Sequence, residues 1–272
     1  MRLLNRKPSR GQEIVLIALP FLLTAVVYLI FSALRLAENP HDKLLPSVGA
    51  MIEAVRNLAF HADPRTGEYI FWADTAASLQ RLSIALGLAT GIALVFGLLI
   101  GLLPLMRALL DDYIAVISMA PPLALLPILF IALGLGEESK IALIVIGCAP
   151  LMIRDLALRV AEMPREQFLK SQTLGASTWQ VALRVVVPQM LPRLIDSLRL
   201  SLGPAWLFLI AAEAIAADSG LGYRIFLVRR YLAMDVILPY VAWITLLAFV
   251  ADAALRFLQA RAFPWFAAAR AA

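Results

Sequence analysis

Cysteine is nearly absent from the 272-residue chain: Cys148 stands alone, inside an apolar run. One thiol can build neither an intrachain disulfide nor a cysteine metal site. Histidine is almost as scarce, with only His41 and His61, and there are four lysines, Lys7, Lys43, Lys140 and Lys170. No H-E-x-x-H, G-x-S-x-G or G-x-x-x-x-G-K-[ST] sequence occurs, which removes zinc-protease, nucleophile-elbow and Walker-type phosphate chemistry. Charge is the largest deficit. Asp, Glu, Lys and Arg supply 16% of the residues, and apolar residues 62%; ordinary soluble domains carry about 25% and about 45–50%. So few charges cannot cover a water-facing surface at this length, and the surplus apolar surface must face lipid. Disorder, a disulfide scaffold and a nucleic-acid-binding domain are excluded at the same step. The formal net charge of +5 then reads as Lys and Arg retained on the cytoplasmic side of a membrane.

What is present is a series of charge-free windows. Residues 14–34, 82–106 and 113–136 are runs of about 21, 25 and 24 residues, long enough to cross about 30 Å of hydrocarbon. Three shorter windows follow, 141–153, 200–212 and 236–251. They read as spans too, with Arg154, Arg199 and Asp252 at helix ends or facing protein, since long Arg side chains can also snorkel. The expected fold class is therefore all-α and polytopic, with about six transmembrane helices. The first run exceeds the about 7–15 residues of a signal-peptide core and reads as a retained anchor. With the N-terminus inside, fifteen of the 24 basic residues fall on the cytoplasmic side, Arg2, Arg6, Lys7, Arg107, Arg154 and Arg270 among them. Both termini are thus expected in the cytoplasm.

The chain reads as a single transmembrane domain over 1–272. Residues 1–35 form the N-terminus and first span, 36–74 an external segment, and 75–260 a core of five spans. The external segment holds six acids, Asp74 the last of them, roughly balancing its bases. Within it Pro46-Ser47 precedes Val48, Met51, Ile52, Val55 and Ala59, one apolar stripe on a helix with Ser47 as cap. That helix either lies on the membrane or bundle surface or docks a partner. His41 and His61 read as surface residues.

The cytoplasmic stretch 160–192 is too polar for the bilayer and too long for a connector, which usually takes about 2–8 residues. Pro164 suits a first helical position, and 165–174 forms a helix that Gly175 stops. Ser177 stands three before Gln180, a capping-box spacing that starts a second helix ending near Pro188. The result is a helix–Gly–helix elbow suited to docking in a groove of another protein. Ionisable residues within the spans are sparse, with Glu213 the one well placed. A proton-driven carrier or a membrane-embedded enzyme needs more of them, so energy must come from a partner.

Leu174-Gly175-Ala176-Ser177-Thr178-Trp179, followed by Val187-Pro188 and Pro192, resembles the EAA loop of ABC-importer permeases. Pro121-Pro122-Leu123-Ala124-Leu125-Leu126-Pro127 with the stretch 134–141, Ala211-Ala212-Glu213 with Gly220-Leu221-Gly222, Leu44-Leu45-Pro46-Ser47 and Ser78-Leu79-Gln80-Arg81 are similar to the nitrate/sulfonate/taurine/bicarbonate permeases. The resemblance runs from about Leu44 to the C-terminus. The positions that give the loop its name read Leu169-Lys170-Ser171, without the acid, and Glu166 lies three residues upstream.

The resemblance implies a type I importer permease. Two copies of the chain would form the pore, two ATP-binding subunits would sit below, and an external binding protein would deliver a small polar solute such as nitrate, a sulfonate or taurine. A small nitrogen compound of the urea, guanidine or cyanate kind is the alternative cargo, and an ATP-independent carrier the alternative class. No cofactor is expected in this chain, ATP and Mg belonging to the partner, and no nucleic acid. The location implied is the bacterial inner membrane. The coupling residues implied are Glu166, Leu169, Lys170, Ser171 and 174–179, with Trp179 either wedged into the partner or packed on its own bundle. Pro121, Pro122 and Pro127 each remove a helical hydrogen bond and bend the third span, as a gate or a static kink. Glu213 either pairs with Arg81 or serves a gate or pathway.

Overall fold

A computed structural model describes residues 9–40, 42–64 and 66–266. Arg2, Arg6, Lys7 and Arg270 of the inside charge, and His41, lie outside the described residues. Among the described residues all regular structure is helical. Five helices are long and apolar enough to cross a membrane, and a bent pair completes a sixth span.

Helix α1 (Arg10–Glu38) starts at a Ser9–Gln12 capping box and carries the first apolar run. Its side chains from Ile14 to Leu34 are largely exposed, so it stands beside the bundle. Among the described residues its C-terminal part is tied down: the Tyr28 hydroxyl donates to the Pro46 carbonyl at 2.7 Å, Ser32 Oγ to that of Leu45 at 3.0 Å, and Arg35 pairs with Asp42 at 2.8 Å. Helix α2 (Val48–Phe60) begins where the cap was expected, Ser47 Oγ accepting from the Ala50 amide at 3.1 Å. It packs on the bundle through Ala59, whose carbonyl accepts from Trp72 Nε1 at 3.1 Å.

Helix α3 (Ile70–Leu102) starts twelve residues before the expected position 82, so the boundary at 74 falls inside a span. Asp74, Ser78 and Arg81 share one helix face with Ala85, Ala89, Ala93 and Gly97, and that face is buried in protein. Charges that meet protein partners do not end a span. The run 82–106 is broken at extended Leu103, because Pro104 opens helix α4 (Pro104–Met119).

The third span is bent by 84° between α4 and residues 122–133, which form a 3₁₀ turn and helix α5 (Leu126–Leu133). The bend was expected, but its cause differs. Pro121, Pro122 and Pro127 all stand in caps or first turns, where the missing N–H costs little. Ala120, held extended at ψ 130° before Pro121, ends α4; a residue before proline avoids the helical region.

Helix α6 (Glu137–Ala161) and helix α9 (Val187–Ala216) extend well past the windows 141–153 and 200–212. Their charges are engaged by protein, for example Arg154 by Ser118 and Arg199 by Asp252. Helix α7 (Arg165–Thr173) and the short α8 (Thr178–Val181) form the elbow, and α10 (Leu221–Arg229) precedes the last span, α11 (Met234–Ala262).

The core lies where α3, α6 and α9 meet. Small residues let these helices approach closely. A Cβ at Gly97 would stand 2.8 Å from Leu156 Cβ, one at Gly101 2.5 Å from Val160 Cβ, and one at Gly147 2.3 Å from the Phe208 ring. The first two contacts, with the bond between Arg81 and Glu137, set α3 and α6 parallel. One end of the bundle therefore carries Arg81, Glu137 and Glu213, and the opposite end carries the elbow.

Candidate functional site

The elbow is built from local chemistry. Pro164 occupies the cap of α7 rather than its first helical position. Phe168 and Ala176 pack on the core, and Gln189 Nε2 donates to Gln167 Oε1 at 3.0 Å, so the elbow is fixed to its bundle. Gly175 turns the chain at φ +79°, a conformation that costs a residue with a Cβ about 1–2 kcal/mol. Its amide donates to the Gln172 carbonyl at 2.9 Å and the Ala176 amide to that of Ser171 at 3.0 Å. The Ser177–Gln180 capping box then opens α8.

The outward side of the elbow is largely exposed among the described residues. Glu166, Leu169 and Lys170 are exposed on α7, Ser171 is half-buried, and Ser177 and Thr178 are exposed on the far side of the turn. Leu174 is 87% exposed and Trp179 70% exposed, unusual for large apolar side chains at a polar turn. Trp179 also edges an apolar groove of about 320 Å³ with Leu94, Leu98 and Leu183.

The second elbow helix does not end near Pro188. The chain from Thr178 to Ala216 is one continuous helix of 39 residues. Pro188 has no N–H to reach the Arg184 carbonyl, and a π turn over Ala182–Val186 absorbs the mismatch, with the Val187 amide donating five residues back to Ala182. Widened turns of this kind keep a helix continuous where a proline would break it.

At the opposite end Arg81 and Glu213 are paired, with Nη1 to Oε1 at 2.7 Å and Glu213 wholly enclosed. Ser78 Oγ donates to Glu213 Oε1 at 2.7 Å, and the Gly222 amide to Oε2 at 2.8 Å. Arg81 also holds Glu137 and the Ser219 carbonyl, and Lys140 holds Glu137 at 3.0 Å. Beside this group Asp74 accepts from Arg224 Nε at 2.8 Å, from the Gly220 amide at 3.0 Å and from the Tyr240 hydroxyl at 3.2 Å.

Three cations thus face three carboxylates. Glu213, Asp74 and Ser78 also cap the first turn of α10 from outside, since Gly220 has no side chain to do so. A Cβ on Gly220, at φ +129°, would lie 2.5 Å from the Glu213 carboxyl carbon. Every carboxylate here is bound to protein donors, so the cluster serves as a clasp joining α3, α6, α9, α10 and α11.

Asp74, Ser78, Glu137, Lys140, Arg224 and Tyr240 were given no site role from the sequence, and the expectation of a bundle almost without ionisable groups is corrected. The spacing 74, 78, 81, continued by Ala85, Ala89 and Ala93, was the available signal: a polar and small stripe at helical period. Among the described residues no group of His, Cys, Asp and Glu could hold a metal ion.

The family model described as "binding-protein-dependent transport system inner membrane component" matches residues 82–264. The taurine transport system permease protein TauC of Escherichia coli (strain K12) is 40% identical over 195 residues, covering 71% of this chain and 70% of that protein. A protein of Methanocaldococcus jannaschii, named as an ABC transporter permease, is 32% identical over 257 residues, 93% of either chain. In fold, the chain is similar to a solved structure of the MetNI methionine ABC transporter in an inward-facing conformation. The TM-score is 0.57 at 21% identity, over 69% of this chain and 95% of that one. With this multi-pass bundle and these matches, the chain belongs to the family of inner-membrane components of binding-protein-dependent transport systems, the permeases of ABC importers.

Proposed function

We propose that two copies of the chain form the pore of an ATP-driven importer and that ATP-binding subunits dock on the elbow. An external binding protein then delivers the solute at the clasp end. The observation that carries this reading is the continuity of the elbow with a 39-residue helix. A partner that grips Leu174 and Trp179 holds the end of a rod about 58 Å long, and its closure on ATP swings the bundle between two openings as a rigid-body change. Exposed Leu174 and Trp179 are the apolar anchors such a groove requires. The loop's missing acid is no obstacle to this grip, because the anchors are apolar. ATP and Mg belong to the partner subunits. The similarity to a taurine permease favours a small sulfonate, taurine first, as cargo.

The test is co-purification. The assembled chain carries an ATP-binding subunit through detergent extraction, and replacing Gly175 and Trp179 together by glutamate removes that subunit while the chain itself remains monodisperse. Retention of the subunit by the double variant would place the docking site elsewhere.

A further inference from the structure

A cleft of about 330 Å³ lies between the elbow-side halves of α3, α4 and α6, lined by Arg107, Asp111, Asp112 and Arg154 with Ile100 and Leu158. It belongs neither to the clasp nor to the elbow. A cavity of this size sits at the small end of ligand pockets, and its charged lining keeps it wet.

Arg154 is the unusual member. It stands seven residues before the end of α6, about 10 Å inside the bundle by helical rise. Several cations within the spanning helices reach carboxylates: Arg81 meets Glu137 and Glu213, Lys140 meets Glu137, and Arg199 meets Asp196 and Asp252, while half-buried Arg193 lies over the Phe266 ring. Half-buried Arg154 reaches none among the described residues, and its guanidinium donates to the neutral Ser118 hydroxyl at 2.9 Å. A cation at such depth is costly without a counter-charge. Asp111 and Asp112 line the same cleft, exposed and, among the described residues, without an ion pair within 4 Å.

Charges of both signs, separated across one small wet cleft and not neutralising each other, match a solute that carries both. We propose that this cleft is a contact site for a small zwitterion on its way through the permease. Its oxyanion lies on Arg154 and Ser118, and its ammonium group faces Asp111 and Asp112. A planar guanidinium with free N–H groups suits a sulfonate or carboxylate oxygen pair. With Arg107 and Arg154 set against Asp111 and Asp112, the lining carries no net charge, which suits a zwitterion better than a purely anionic occupant such as an acidic lipid headgroup. The inference rests on the importer reading and adds to it the residues that touch the cargo.

The experiment follows phenylglyoxal modification of Arg154 by peptide mass spectrometry, on the full chain with its ATP-binding subunits, in phosphatidylcholine nanodiscs. Taurine and ethanesulfonate, which lacks the amine, are the two probes. The expected result is that saturating taurine slows modification of Arg154 about tenfold and leaves exposed Arg229 unchanged. Ethanesulfonate protects about tenfold more weakly by concentration, and Asp111→Asn with Asp112→Asn removes that difference. No protection by taurine overturns the site. Equal protection by both probes overturns the zwitterion. Protection that appears only when anionic lipid is added assigns the cleft to a headgroup. Failure of the importer reading is distinguishable, because the ATP-binding subunits would then be missing from the sample.

Discussion

Arg81 illustrates how a charge survives inside an apolar bundle. Its guanidinium serves two carboxylates and a carbonyl at once, and the carboxylate of Glu213 is closed over by Ser78 and the Gly222 amide. Such a pair does not pull the fold together by Coulomb energy alone, because desolvation offsets much of it. Breaking it is what costs, since one charge is left buried without its partner. Arg81→Ala, which leaves enclosed Glu213 without its cation, should therefore destabilise the chain by about 3–5 kcal/mol, read as a lower midpoint for thermal unfolding in detergent. A change below 0.5 kcal/mol would mean the clasp is ornamental. At Gly147 the constraint is space. Gly147→Ala puts a methyl 2.3 Å from the Phe208 ring and should cost about 1–3 kcal/mol by overpacking. Phe208→Leu in the same chain should recover part of that loss, and non-additivity in the double variant is the readout.

At the scale of elements, the turns of the elbow were legible and the helix that follows was not. Gly175 and the Ser177–Gln180 box are short-range signals with a direct backbone reason, and both stand where the sequence places them. Pro188 argued for a helix end, but a π turn answers a proline without ending the helix, and no residue pattern announces one. The third span shows the reverse. Its bend was legible from Pro121-Pro122, while the mechanism was not, since the prolines start elements rather than interrupt one. Two predictions belong here. Ser177→Ala should loosen α8 by about 1 kcal/mol, seen as faster hydrogen exchange of the Gln180 and Val181 amides with the rest of α9 unchanged. Gly175→Ala should strain the turn by about 1–2 kcal/mol, and an unchanged exchange profile around Ala176 would show that the turn tolerates a side chain.

For the whole molecule, composition alone placed the chain in a membrane, and charge-free windows found every span. They missed span lengths, because a window stops at a charge whereas a helix stops only when its backbone does. Asp74 and Arg81 looked like the edge of α3, yet both are buried by partners more than fifty residues away in sequence. Long-range pairing of this kind is invisible to any local window. It also gives the molecule two distinct ends: a clasp that locks five helices together, and an elbow whose apolar tips, Leu174 and Trp179, are exposed. A helix that begins at the elbow and ends at the clasp connects them.

The most direct test of that connection is a cross-link. In a Cys148→Ala background, a cysteine placed by Leu174→Cys is alkylated with benzophenone-4-maleimide and the assembled transporter is irradiated, with and without a non-hydrolysable ATP analogue. Docking at the elbow predicts a bond to the ATP-binding subunit whose yield changes with nucleotide. Absence of any cross-link from Leu174→Cys, while the subunit still co-purifies, would contradict it.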